Sequence, residues 1–162
     1  IQSGEISTDY LTGLYNRRRL DEHLQRQMMM RKKDHHLFSI MLDLDGFKTI
    51  NDKYGHAAGD NVLVEMADLL RQACKGSDDF IARMGGDEFI IVGERNEIGA
   101  IKRLMEDINT KAVEHNNRHQ ADCVIRPSMG YSVFEKDDTL DSFIAAADKE
   151  MYRNKQERKA AH

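Results

Sequence analysis

Two apolar runs, residues 80–84 and 89–92, are separated only by Gly85-Gly86-Asp87-Glu88. A Gly-Gly pair between such runs signals a β-hairpin, because both glycines reach positive φ without the Cβ clash that other residues meet. A hairpin makes the sheet that holds it at least partly antiparallel. A third short, β-like run, residues 37–44 (LFSIMLDL), suits a central strand of the same sheet. Residues 124–134 read as a further strand, and Pro127 within it points to an edge or a bulge.

The segments between these strands carry helical spacing. Leu20, Leu24 and Met28 lie four apart within a helix expected over residues 16–33, which the polar stretch 31–36 ends. After Asp45-Gly46 a short helix over FKTINDKY is expected to close at Gly55. Val62, Leu63, Met66, Leu69, Leu70 and Ala73 mark a longer helix over residues 61–73. Ile98, Ile101, Met105, Ile108 and Ala112 mark another. The last helix starts near Thr139, an N-cap, and turns Leu140, Phe143, Ile144, Ala147 and Met151 inward. This order predicts an α+β fold, a mixed sheet covered by helices.

Composition removes several classes. The 162 residues suit one domain, taken here as 1–162. One Pro, 11 Gly and no Trp exclude collagen-like and proline-rich chains. The longest apolar run, residues 143–147, is far short of a bilayer span. A net charge of -4 argues against a nucleic-acid partner, though a small phosphate ligand needs only a few local cations. Cys74 and Cys123 match no zinc or CxxC spacing and are expected to be reduced thiols of a cytoplasmic chain. The sequence starts with Ile1 and not Met, so a piece of a longer protein is expected.

Three features converge on metal and phosphate chemistry. Asp43 and Asp45 end the central strand two apart, on one face, just before free helix amides. Asp87 and Glu88 sit at the hairpin tip, and a hard cation such as Mg2+ wants one or two carboxylates plus phosphate oxygens. Lys149 and Arg153, four apart on the last helix, share a face and suit a triphosphate clamp. Each feature also has an ordinary reading, as solvated carboxylates, turn chemistry or a solvated helix face. An EF-hand at Asp45-Gly46 is rejected, because the Gly comes too early and position twelve is Tyr54. His115 and His119 lack a third ligand and are read as a solvated face.

The stretch from Arg83 to Phe89, RMGGDEF, contains the signature of the GGDEF family of diguanylate cyclases, and other motifs accompany it. DYLTGLYNRR from Asp9 resembles the family's DxLTxLxNRR. Asp43-Leu44-Asp45-Gly46-Phe47-Lys48, Asn51-Asp52 and the segment from Gly55 to Asp60 resemble DxDxFKxxND…GHxxGD. Ser128-Met129-Gly130 resembles the SxG strand, and ADKEMY from Ala147 the ADxxLY helix. The matches keep their order from Asp9 to Arg153.

The resemblance implies a nucleotide-cyclase or polymerase-palm-like fold, with the signature on the hairpin. It implies condensation of two GTP into cyclic di-GMP with release of two pyrophosphates. Each domain would hold one GTP, so a second copy must face the first, and the 3′-hydroxyl of one GTP attacks the α-phosphorus of the other. Mg2+, or Mn2+ in its place, is the implied cofactor. Position by position, Asp43, Asp87 and the carbonyl of Leu44 correspond to metal ligands, and Glu88 to a second-metal ligand or proton acceptor. Asn51 and Asp60 correspond to the guanine readers, although Asp60 also reads as an N-cap. Phe47 and Lys48 correspond to the phosphate-binding backbone, Gly85 and Gly86 to a close backbone approach, and Lys149 and Arg153 to the triphosphate clamp. The alternative is a catalytically silent GTP-binding module.

Two departures stand out. The family's product-inhibition motif RxxD reads Gly76 to Asp79 here, without the Arg, so product inhibition is expected to be weak. The usual AKxxGRN tail reads NKQERKA from Asn154, a change expected to bear on the helix end more than on chemistry. The expected setting is the C-terminal piece of a longer sensor protein, cytoplasmic itself and without membrane contact of its own, the parent's anchoring being open. The isolated domain is expected to be largely monomeric.

Overall fold

The computed structural model describes residues 7–119 and 122–160. Its elements run β1 (Tyr15–Asn16), α1 (Arg17–Met29), β2 (His36–Leu44), α2 (Phe47–Tyr54) and α3 (His56–Ala73). They continue with β3 (Phe80–Gly85), β4 (Glu88–Arg95), α4 (Ile98–His119), β5 (Pro127–Val133) and α5 (Leu140–Ala160). The strands form one sheet in the order β1-β3-β4-β2-β5. Only the β1–β3 pairing is parallel, and the expected hairpin is β3–β4.

Alternation along the central strands divides the core into two layers. Phe38, Ile40, Leu42 and Leu44 of β2 join Phe89 and Ile91 of β4 beneath α2, α3 and α4. Leu37 and Met41 of β2 join Ile90 and Val92 of β4 on the opposite face, beneath α1 and α5. That second layer is closed by Leu20 and Leu24 of α1 and by Phe143, Ala147 and Met151 of α5. Helices on both faces of a largely antiparallel sheet are the expected α+β arrangement.

Local chemistry moves several boundaries. Gly55, at φ 92, closes α2 and opens α3 together, so α3 starts at His56 and not at 61. Residues 56–60 carry little of the apolar stripe that marks the rest of the helix. Asp60 therefore lies inside α3 and is not its N-cap. β5 begins at Pro127 and not at 124, because the backbone of Ile125 is held on both sides by the Asn116 side chain of α4. Pro127 opens an edge strand, as its missing N–H requires. Thr139 does cap α5, exchanging hydrogen bonds with Ser142 at 2.8 and 3.0 Å. β1 was not expected; two residues are too few to show a period.

His115 corrects the solvated-face reading. It is buried, shares a 3.0 Å hydrogen bond with Glu65 of α3 and meets the His119 ring at a tilt of 45°. Both cysteines are free thiols. Burial, reinforced by the charge of Asp79, pushes the Cys74 pKa up to about 12, which leaves it a poor nucleophile.

α5 lies directly on β5. A Cβ at Gly130 would come within 2.1 Å of the Met151 nitrogen and 2.6 Å of the Ala147 carbonyl oxygen. Glycine is thus what lets the helix backbone touch the strand. The helix also covers the sheet edge, since Glu150 accepts from the Tyr131 amide and Asn154 donates to the Met129 carbonyl. Gly130→Ala should lower stability by about 2 kcal/mol or more, because the obstructing atoms are backbone and cannot swing aside. Urea unfolding should show a lower midpoint at unchanged slope; a midpoint equal to wild type would contradict this packing.

Candidate active site

The same alternation that builds the core places the carboxylates. Leu42 and Leu44 point to the α2–α3 layer, so Asp43 between them points toward α5, and Asp45 follows on that side. In the ladder Asp43 stands opposite Glu88 of β4 on one side and Ser128 of β5 on the other. Gly85 pairs with Glu88, leaving Gly86 and Asp87 at the tip of the hairpin, with Gly86 at φ 51.

Arg83 holds this tip. Its Nε donates to the Gly86 carbonyl at 2.9 Å and its Nη1 to Asp9 at 3.1 Å. Asp9 also accepts from the amide and hydroxyl of Thr12. Burial works against the Asp9 charge, but the bonds from Thr12 and Arg83 prevail and hold its pKa below the ordinary value. Two of the sequence motifs are thereby clamped to each other.

Burial raises the pKa of Asp43, and Asp87 and Asp45 add to the rise against the opposing pull of Lys155. Glu88 is raised likewise, by burial first and then by Asp148, Asp43 and Asp87, with Arg17 opposing. Among the described residues no three His, Cys, Asp or Glu side chains form a ready cage for a metal. Mg2+ rarely needs one; one or two carboxylates plus phosphate oxygens and water complete its shell. The oxygen donors of Asp43, Glu88 and Asp87 fit a hard cation.

The cations beside these carboxylates are Lys155 and Arg158. Lys155 Nζ lies 3.1 Å from both oxygens of Asp43 and 3.8 Å from Asp45. Burial disfavours its charge, yet Asp43, Asp45 and Asp87 hold its pKa above the ordinary value. Arg158 Nη1 donates to Asp45 at 3.0 Å and to the Pro127 carbonyl at 3.1 Å. Lys149 and Arg153 are not brought to this site. They are exposed and line a separate surface cavity with Tyr152 and Gln156. The helical period explains the difference: continuing the buried series Phe143, Ala147, Met151 by three or four residues reaches 154, 155 and 158. Residues 149 and 153 fall on the opposite side. The divergent tail therefore carries the cations beside the carboxylates, contrary to the expectation that it bears on the helix end more than on chemistry.

Phe47 and Lys48 open α2, whose N-cap, Gly46, is left-handed at φ 70 and offers no side-chain hydrogen bond. The first amides of the helix are thus available to an anion. Asn51 lies one turn on and rests against α3 at Gly59, where a Cβ would fall 1.9 Å from its Oδ1. Asp60 is the next residue and is exposed. The α2–α3 corner thus brings Asn51 to the turn that carries Asp60.

The profile of the family described as "Diguanylate cyclase, GGDEF domain" matches residues 6–161. Diguanylate cyclase DgcP of Pseudomonas aeruginosa is 36% identical over 156 residues, covering 95% of this chain and 23% of that protein. Diguanylate cyclase DgcP of Escherichia coli is 35% identical over 152 residues, covering 91% of this chain and 44% of that protein. The chain therefore spans less than half the length of either relative. The solved GGDEF domain of DgcB from Caulobacter crescentus, in complex with c-di-GMP, superposes with a TM-score of 0.84 at 26% identity. That match covers 96% of this chain and 94% of the other.

A carboxylate whose pKa is raised by the fold loses its stabilising contribution as pH rises through the folded value. Glu88→Gln, which mimics the protonated form, should therefore melt above wild type at neutral pH without divalent ions. The gap should close as pH falls below the ordinary glutamate value of 4.5. Thermal melts across pH check this; a lower Tm for Glu88→Gln at neutral pH would contradict it.

Proposed function

The chain belongs to the diguanylate cyclase GGDEF-domain family, and from that premise we propose that it condenses two GTP into cyclic di-GMP and two pyrophosphates. The observation that carries the proposal is the carboxylate pair Asp43 and Glu88, opposed across β2 and β4 beside Asp87, with Lys155 and Arg158 brought to the same end of the sheet.

In this reading Asp43, Asp87 and the Leu44 carbonyl hold Mg2+, or Mn2+ in its place, and Glu88 stands beside them as the proton acceptor. The ion offsets triphosphate charge and lowers the barrier to hydroxyl deprotonation and pyrophosphate departure. Lys155 and Arg158, and not Lys149 and Arg153, grip the phosphates, together with the Phe47–Lys48 amides. Gly85 and Gly86 admit the nucleotide close to the backbone. Asn51 and Asp60 read guanine: an amide and a carboxylate match its acceptors and its N1–H and N2–H donors, a donor pair that adenine's edge lacks.

Each half-reaction forms one O3′–P bond, breaks the bond between the α- and β-phosphates and releases pyrophosphate. Glu88, opposite Asp43 in the ladder, takes the 3′-hydroxyl proton. Two such steps close the ring, so two copies must face each other, each holding one GTP. An upstream sensor domain in a longer parent is the proposed means of bringing them together. Among the described residues no helix is long and apolar enough to cross a membrane, and a cytoplasmic setting, where GTP is found, is part of the proposal.

Product inhibition is proposed to be weak. The Asp79 carboxylate is 2% exposed and already bound by both terminal nitrogens of Arg95, at 2.8 and 2.7 Å. Gly93 makes room for it, since a Cβ there would lie 2.1 Å from Asp79 Oδ1. An aspartate so committed, with Gly76 in place of the arginine, has little left to offer a guanine.

Incubation with GTP and Mg2+, with products identified by mass, should yield cyclic di-GMP at a rate rising more than linearly with protein concentration. Glu88→Gln should cut turnover about a hundredfold or more while largely sparing GTP binding. Added product should inhibit little, and tight product binding that vanishes on Asp79→Ala would contradict the weak-inhibition claim. A chain that binds GTP but makes nothing, even when fused to a dimerising coiled coil, would be the silent module instead.

A further inference from the structure

We propose that Asp45 is a positioning residue for the phosphate grip and not a metal ligand, an inference that rests on the reading above. By sequence it is the natural partner of Asp43, two residues on and on the same face. Its oxygens are engaged elsewhere. Oδ1 accepts from the Ser128 hydroxyl at 2.7 Å and has Lys155 Nζ at 3.8 Å. Oδ2 accepts from Arg158 Nη1 at 3.0 Å. The Asp45 side chain is 17% exposed, and its amide donates to the Arg126 carbonyl, so both its backbone and its carboxylate are fixed.

The arrangement ties the last turns of α5 to the edge of the sheet. A guanidinium has five N–H donors, and the bonds of Arg158 to Asp45 and to the Pro127 carbonyl both run through Nη1. The remaining donors keep a fixed direction in which to meet an anion. Lys155 is drawn between Asp43 and Asp45 in the same way. Arg and Lys side chains lose much rotamer freedom when they order on a ligand. Anchoring them beforehand removes part of that cost from nucleotide binding. Ser128 completes the device, since the single proton of its hydroxyl is given to Asp45, fixing the carboxylate that fixes the arginine.

The test is a double-mutant cycle read in GTP binding, with Mg2+ present, by calorimetry. Asp45→Asn should weaken GTP binding about tenfold, and Ser128→Ala, which keeps the charge, about threefold. In an Arg158→Gln, Lys155→Gln background both losses should largely disappear. Mn2+ binding without nucleotide, measured from free Mn2+ by electron paramagnetic resonance, should be unchanged by Asp45→Asn and strongly reduced by Asp43→Asn. Additive losses in the cycle, or loss of Mn2+ binding on Asp45→Asn, would make Asp45 a direct ligand and overturn the proposal. Ser128→Ala keeps it decidable if Asp45→Asn folds poorly: a loss that persists in the double background overturns it as well. A wild-type chain that binds no GTP overturns both this inference and the functional reading, whereas GTP binding indifferent to Asp45 and Ser128 overturns this inference alone.

Discussion

Asp43 and Glu88 face each other across the β2–β4 ladder, and like charges in such a pair are destabilising. Burial raises the proton affinity of both groups, and neighbouring carboxylates add to it: Asp87 and Asp45 at Asp43, and Asp148, Asp43 and Asp87 at Glu88. Much of the surrounding structure holds this unfavourable arrangement in place. Ladders of apolar residues fix the register of β2 with β4 on both faces. Arg83 fastens the hairpin tip to the N-terminal segment through Asp9. Lys155, from the far end of the chain, supplies the opposite charge.

α5 joins stability and chemistry in one element. Its apolar residues close the second core layer, and the same helical row, carried past Met151, ends in Asn154, Lys155 and Arg158. The position of those cations therefore depends on how closely the helix lies on β5, which Gly130 decides. A change in that contact would be felt in the core and among the carboxylates together.

The hairpin, the central strand and the alternation behind the two core layers were legible because period two and period 3.6 are local properties. The ordered motifs were legible for the same reason, and the carboxylates they name do meet at one end of the sheet. The pairing of Lys155 with Asp43 spans 112 positions, and no local pattern announces it. Its sequence signals were the phase of the α5 apolar stripe and the lysine that NKQERKA shares with AKxxGRN, whereas the clamp was expected at Lys149 and Arg153. The start of α3 was hidden because residues 56–60 carry little apolar pattern, and β1 because it is two residues long. The solvated-face reading of His115 failed because its burial depends on α3 coming to lie beside α4, and the Asp79–Arg95 pair has no local signal because it forms only once β4 is in place.

The carboxylate end of the sheet, with the cations of α5 that reach it, is the proposed seat of a nucleoside triphosphate. GTP binding in the presence of Mg2+ tests it most directly when two paired variants are compared. Lys155→Gln with Arg158→Gln should weaken binding about a hundredfold, at roughly one charge-assisted bond lost per residue. Lys149→Gln with Arg153→Gln should leave it within about a factor of two, since those side chains are solvated. The reverse order of effects would place the phosphates on the outer face of α5 and contradict this account of the site.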